Sequence, residues 1–312
     1  MGLEASAIIP CYNAERFLGE AIESALSQTR PVREVIVVDD CSTDQSEGVA
    51  RRYGVRYLRT PSNSGPATAR NLGAAAATGG VLAWLDADDR WEPRHCQVLL
   101  GLLEQFPEAG CAFGAARLFG AREGVWRPHH RMPESEPFDA FWPSFRRTIV
   151  PQMAAVTRKP AFEAIGGYDP AAPVGVEDYD LWVRLARCVP FVCTQAVTSN
   201  YRWHEGQLSR NQDGQTRDMY RCRVKLWRQV GIEGNGPLAA EIGERMWKIW
   251  NEEVGGAWWA REREQFRFYY SLRKMVPAAP LRVRTGWALR AAVPQIAVRA
   301  FDRARGLVTS PA

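Results

Sequence analysis

The sequence predicts an α/β fold, a mainly parallel sheet with helices on both faces, followed by a helical extension. Two observations carry this. Short, dense apolar runs alternate with segments of helical period through the first hundred residues, and each run ends in polar or acidic residues. From Asp213 onward strand signals give way to helical spacing rich in Trp and Arg.

Ala5 to Ile9 reads as a first strand ending at Pro10, and Glu15 to Gln28 as a helix whose apolar positions are Phe17, Leu18, Ala21, Ile22, Ala25 and Leu26. Glu34 to Val38 is a denser strand stopping at Asp39 and Asp40. Ser42, Thr43 and Asp44 then offer caps for a helix through Arg52. Val55 to Leu58 is a third strand. Pro66 to Ala77 is an alanine-rich helix halted by Thr78, Gly79 and Gly80, and Val81 to Leu85 is a fourth strand. A helix follows over Glu92 to Phe106. The stretch from Ala109 to Pro173 is less regular, with apolar strands near Ala112 and Met153. Gly175 to Ala186 is a helix with acids in its first turn, where the helix dipole favours them. Val189 to Cys193 and Tyr201 to His204 are the last strands. A boundary near Asn211 separates residues 1–211 from a helical, basic and aromatic region, 212–312.

The most informative feature lies at the fourth strand end, where Asp86, Asp88 and Asp89 follow the buried run Val81 to Leu85. Acids this close repel one another and must be solvated, paired or bound to a cation. Hard oxygen donors at the carboxyl end of a strand suit Mg²⁺ or Mn²⁺ carrying a diphosphate, whereas an acidic turn capping a helix is the bland alternative. The ends of the first, second and fourth strands carry Tyr12 with Asn13, Asp39 with Asp40, and the acids at 86–89, so they converge on the crevice where such sheets bind ligands.

The 312 residues and 46% hydrophobic content suffice for one large domain and an appendage. No run approaches the roughly 20 apolar residues of a membrane helix, and no signal peptide precedes the first strand, so the chain reads as cytoplasmic. Seven cysteines without a C-x-x-C pair read as reduced thiols rather than disulfides or zinc ligands. The net charge of +5 is uneven, with eleven Lys/Arg against three Asp/Glu from Arg261 to the end. That basic tail hints at an anionic surface; without a recognised nucleic-acid motif, the inner face of the cytoplasmic membrane is favoured over nucleic acid.

Four segments, AIIPCYNAERFLGEAIESALSQT, VIVVDDCSTDQS, NSGPATARNLGAAAATGGVLAWLDADD and VEDYDLWVRLA, together resemble family 2 glycosyltransferases of the GT-A nucleotide-sugar fold. The resemblance runs from about Ala5 to Asn211, including SNYRWHEGQLSRN. It implies that Pro10, Tyr12 and Asn13 pack against the base and ribose of the donor, that Asp40 hydrogen-bonds the base, and that Arg70 lies near the same nucleotide. It further implies Asp86 near the ribose, Asp88 as metal ligand, His204 by the metal or diphosphate, and Asp178, beside Glu177, as general base of an inverting transfer.

The chemistry asks for such residues: a cation offsets charge on the departing diphosphate, and a carboxylate takes the acceptor hydroxyl's proton. Glu177 and Asp180 are expected to raise the proton affinity of Asp178. Asp39 reads equally as a loop cap, Asp178 as an N-terminal helix charge, and His204 as a packed or solvated histidine. His129 and His130 read as a solvated loop. The processive signature Q-x-x-R-W is absent after the Glu-Asp pair, which favours single-sugar addition. The expected partners are a nucleoside diphosphate sugar, UDP-sugar foremost, and a glycan or lipid-linked acceptor of cell-surface polysaccharide assembly. A catalytically silent sugar-nucleotide-binding scaffold is the alternative. For the crowded aromatics Met246 to Tyr270 and the arginines beyond Leu281, a membrane-interface helix, a helical cap and a homodimer contact all stay open, with Pro277, Pro280 and Pro294 interrupting any long helix.

Overall fold

A computed structural model describes residues 2–128, 132–207, 212–260, 262–276 and 287–288. The chain divides into two compact units, Met1–Arg210 and Asn211–Ala312. The first contains β1 (Ala5–Cys11), α1 (Leu18–Leu26), β2 (Glu34–Asp39), α2 (Ser46–Arg52), β3 (Arg56–Arg59), α3 (Pro66–Ala76) and β4 (Val81–Trp84). It continues through β5 (Arg90–Trp91), α4 (His95–Gln105), β6 (Cys111–Gly120), β7 (Gly124–Trp126), α5 (Phe141–Arg146), a 3-10 turn (Gln152–Ala154), β8 (Ala155–Arg158), α6 (Lys159–Ala164), α7 (Glu177–Ala186) and β9 (Phe191–Trp203).

The strands form one sheet in the order β3-β2-β1-β4-β8-β6-β9-β5, with β7 on β6. β3, β2, β1 and β4 run parallel, and the apolar runs of β1, β2 and β4 are buried, as the dense Val35 to Val38 segment requires of a strand covered on both faces. Gly73 lets α3 lie close to this half: a Cβ there would come within 2.6 Å of Ile8 Cγ2. β8 then enters antiparallel to both β4 and β6. Strand direction leaves no trace in hydrophobic periodicity, so the sequence shows the strands but not this reversal.

The two last expected strands are one, the 13-residue β9. Its polar middle hides this, because Thr194 Oγ1 and Gln195 N–H donate to Glu134, an arrangement no period-2 pattern signals. β9 is parallel to β6 with a register shift: Phe113 pairs with Cys193, yet Ala116 pairs with Ser199, so β9 carries three extra residues there. At α2 the expected Ser42 to Asp44 caps give way to Gln45 as N-cap, while Asp44 accepts from Ser46 N–H at 3.0 Å.

The second unit holds α8 (Gln212–Ile232), α9 (Gly236–Trp259), α10 (Arg263–Ser271) and a 3-10 turn (Leu272–Met275). Tyr220, Trp250, Val254, Phe266, Leu272 and Trp287 form its core. Trp250 Nε1 donates to Tyr269 O and Trp287 Nε1 to Asn251 Oδ1, both at 2.9 Å, so these two indoles have their partners. Several of the crowded aromatics, for which a membrane face and a packed cap were both open, thus lie inside the unit. The arginines at 282, 284, 290, 299, 303 and 305 and the prolines at 277, 280 and 294 lie outside the described residues. No described helix is long and apolar enough to cross a membrane.

Candidate active site

The acids at the end of β4 are distributed to three different partners. A turn closed by Asp89 N–H to Asp86 O, 3.1 Å, follows Leu85. Asp86 Oδ1 accepts from Arg70 Nη2 at 2.7 Å, and Arg70 Nη1 donates to Glu177 Oε1 at 2.8 Å, so one guanidinium on α3 ties the turn to the first residue of α7. Glu177 Oε2 also accepts from Gly175 N–H at 2.6 Å, and the Tyr168 ring lies 5.4 Å from the guanidinium carbon. Burial opposes a charge on Arg70, yet Asp86 and Glu177 hold it well above its ordinary value, permanently cationic. Burial, with Asp88 adding to it, pushes Asp86 upward despite Arg70.

Asp88 meets His204. Asp88 Oδ2 is 2.9 Å from His204 Nε2, with 31% and 26% of the two side chains exposed, and Gly206 N–H donates to Nδ1 at 3.3 Å. The third acid, Asp89, is buried and accepts from Arg202 N–H at 2.7 Å; burial and its two acidic neighbours push it well above its ordinary value.

This donor set fits a hard divalent ion of the kind that keeps water and diphosphate oxygens as most of its ligands. Asp88 could supply a carboxylate oxygen and His204 its Nε2 imidazole nitrogen. Among the described residues no group of three or more His, Cys, Asp and Glu gathers that could hold a metal ion by itself.

Asp178 follows Glu177 at the start of α7. Burial first, then Glu177, push its carboxyl up to about 7, although Arg70 and the Tyr179 N–H, 2.7 Å from Oδ1, pull the other way. The expectation that Asp180 contributes is corrected: Asp180 is itself buried and ion-paired with Arg184 Nε at 2.7 Å. A carboxylate titrating near neutrality is suited to accept a proton and release it again.

Around the loop after β1, Tyr12 is half exposed, offering a free aromatic face, while Pro10 is only partly covered. Asn13, with φ +49°, is spent within the chain: its N–H donates to Ser42 Oγ and its Oδ1 accepts from Thr43 N–H, each at 2.9 Å. Asp39 is a loop brace, accepting from Ser42 N–H, Tyr57 Oη and Arg59 Nη1. Asp40, the residue expected to hydrogen-bond the base, braces a loop. Both of its buried oxygens are engaged, by Thr60 Oγ1 at 2.7 Å, Ser64 N–H at 3.0 and 3.1 Å, and Gly65 N–H at 2.7 Å, so it holds the loop that starts α3.

The structure therefore gathers Arg70, Asp86, Glu177 and Asp178 into one cluster and joins Asp88 to His204 beside it, while Asn13 and Asp40 serve the adjoining loops. His129 and His130 lie outside the described residues. Sequence reading missed Tyr168, Glu20 and Arg202. The Y-R-W-H run offered a signal for Arg202, since it stands two residues before His204 on a strand and so shares its face.

The model of the family described as Glycosyl transferase family 2 matches residues 6–166. An uncharacterized glycosyltransferase of Rickettsia felis is 30% identical over 230 residues, which are 71% of this chain and 37% of the relative. TuaG of Bacillus subtilis, named provisionally as a teichuronic acid biosynthesis glycosyltransferase, is 41% identical over 115 residues, 35% of this chain and 44% of TuaG. The chain thus spans less than half the length of either relative. Among solved structures, S. aureus TarS 1-349 in complex with UDP superposes with a TM-score of 0.65 at 17% identity, over 88% of this chain and 81% of TarS 1-349. The mannosyltransferase PcManGT of Pyrobaculum calidifontis, in complex with GDP-Man and Mn²⁺, gives 0.57 at 17% identity, over 99% and 82%. The sheet, its flanking helices and these likenesses establish the GT-A fold, and the family match over residues 6–166 shows that this chain belongs to glycosyl transferase family 2.

Proposed function

We propose that the chain transfers one sugar, with inversion, from a nucleoside diphosphate sugar, UDP-sugar foremost, to a glycan or lipid-linked acceptor in cell-surface polysaccharide assembly. The observation that carries this reading is Asp178, raised to about 7 and joined through Glu177 and Arg70 to the acid turn. UDP and UDP-GlcNAc in TarS, GDP-Man with Mn²⁺ in PcManGT, and the name of TuaG support the donor class and the pathway type.

Tyr12 would stack on the base, and Asp40 would shape the loop beneath it rather than read it directly. The acceptor oxygen attacks the anomeric carbon from the face opposite the diphosphate; the new carbon–oxygen bond forms as the bond to the phosphate oxygen breaks, and the diphosphate leaves with that electron pair. Asp178 takes the hydroxyl proton, a contribution of about 10²- to 10⁴-fold. Asp88 and His204 would hold Mn²⁺ or Mg²⁺, which when bound supplies Lewis-acid stabilisation of charge on the leaving diphosphate. Arg70, committed to Asp86 and Glu177, keeps the base and the acid turn in fixed relation.

Calorimetry of the chain with UDP, GDP and dTDP, with and without Mn²⁺, tests the donor half of this reading. Metal-dependent binding of UDP is expected; failure of all three to bind overturns it. A silent scaffold binds donor without consuming it, so donor hydrolysis with Mn²⁺ separates the two functions. The C-terminal unit is proposed as an appendage through which the enzyme associates with the inner face of the cytoplasmic membrane, supported by the surplus of Lys and Arg after Arg261.

A further inference from the structure

Arg202 lies on β9, two residues before His204, and its contacts converge on the acid turn. Its Nε donates to Asp88 O at 2.8 Å, its own backbone N–H donates to Asp89 Oδ1 at 2.7 Å, and its Nη2 donates to Glu20 Oε2 on α1 at 2.8 Å. The guanidinium carbon sits 4.6 Å from the Phe17 ring centre and 4.5 Å from that of Phe119. Phe17 also lies 5.1 Å from the His204 ring.

A planar fork with five donors can bond a carbonyl and a carboxylate at once while its faces meet aromatic rings; an ammonium cannot. The side chain is largely shielded, 15% exposed, and its guanidinium is shared between Asp88 O and Glu20 Oε2. Its reach is to the backbone of Asp88, the residue whose carboxylate meets His204. The end of β9 therefore brings Arg202 to the Asp88 carbonyl, and His204, just past its last residue, to the Asp88 carboxylate.

We propose that Arg202 is a positioning residue for the cation and diphosphate site: it sets the orientation of the Asp88 carboxylate by holding the Asp88 carbonyl, with Glu20 and the two rings holding Arg202. This rests on the function proposed above, because it concerns the metal-dependent half of donor binding. Groups that orient a metal ligand are typically worth about 10- to 100-fold in metal affinity. The cost appears in binding of the metal–nucleotide pair, not in the nucleotide's contacts with Tyr12 and its loop.

The test compares Arg202→Lys with wild type by calorimetry of UDP, with and without Mn²⁺, alongside melting of the free chain. Arg30→Lys, at the distant Arg30–Glu104 pair, controls for a generic loss of guanidinium. The expected result is a loss of about 10-fold or more in the Mn²⁺-dependent gain in UDP affinity, with metal-free UDP affinity and the Arg30→Lys protein unchanged. In an Asp88→Ala background the same substitution should have no further effect on that gain, because Arg202 acts through Asp88. If Arg202→Lys fails to fold, Glu20→Gln decides, with a smaller loss in the same direction expected. An unchanged Mn²⁺-dependent gain in Arg202→Lys, or in Glu20→Gln where that variant decides, overturns the inference alone. Additive losses with Asp88→Ala do the same. Absence of metal-dependent binding of UDP, GDP and dTDP by wild type overturns the proposed function and this inference with it.

Discussion

Replacing Asp178 by Asn should abolish turnover and at the same time make the protein more stable. The carboxyl is raised from 3.8 to about 7 in the folded chain, so its ionised form is disfavoured there relative to the unfolded chain. At about 1.4 kcal/mol per unit this is about 4 kcal/mol as an upper bound, and partial solvent contact trims it to about 2 to 3. A group whose folded value is raised favours the folded state fully below its unfolded value and loses that contribution as pH rises toward its folded value. Wild type should therefore weaken between about pH 4 and pH 7 and level off above, whereas the amide, which never ionises, escapes this loss. Thermal unfolding of both proteins across that range is the assay. A melting temperature higher by about 4 °C or more is expected for Asp178→Asn at about pH 8, with the gap closing as pH falls. Turnover of wild type should fall about tenfold per unit below about pH 7. A simple helix-end charge predicts the opposite sign, a loss of about 0.5 to 2 kcal/mol with activity retained. A variant no more stable than wild type at about pH 8, or one that turns over normally, refutes the reasoning.

Arg70→Met leaves Asp86 and Glu177 buried without their cation and should cost about 3 to 5 kcal/mol in denaturant unfolding, far above the effect of removing the exposed Arg51–Glu47 pair. Asp88→Ala should remove the Mn²⁺ dependence of UDP affinity while leaving the melting temperature of the free protein near wild type, as calorimetry and a thermal scan would show. Gly73→Ala drives a methyl against Ile8 and Val38 and should cost about 1 to 3 kcal/mol by the same unfolding assay. Truncation after Met275 should leave UDP affinity intact and reduce pelleting with anionic liposomes at low salt; equal pelleting rejects the membrane role and leaves packing or self-association for the tail.

The parallel half of the sheet was legible because burial on both faces forces unbroken apolar runs, as at Val35 to Val38, and because acids collected where those runs stopped. The association of Arg70, Asp86 and Glu177 was less so. Residues 107 positions apart meet there, and each alone reads as an ordinary surface charge. The loop contacts of Asp40 were hidden for a related reason: a carboxylate at a strand end looks the same in sequence whether or not it accepts from backbone amides of the next loop. Arg202 was hidden within a strand whose polar middle concealed its continuity.

The irregularity between β6 and β9 decides which way that strand faces. Counting onward from the Phe113–Cys193 pair without the extra residues, position 202 would fall beyond the end of β6 and on the opposite surface. Three is an odd number, so the insertion inverts the alternation and turns Arg202 and His204 toward the acid turn together. Any change of one residue in the length of Thr194 to Thr198 should present Tyr201 and Trp203 there instead. Deletion scanning of this short stretch would then abolish metal binding in alternation, lost with one residue removed and partly regained with two, a parity effect that point substitutions cannot reveal.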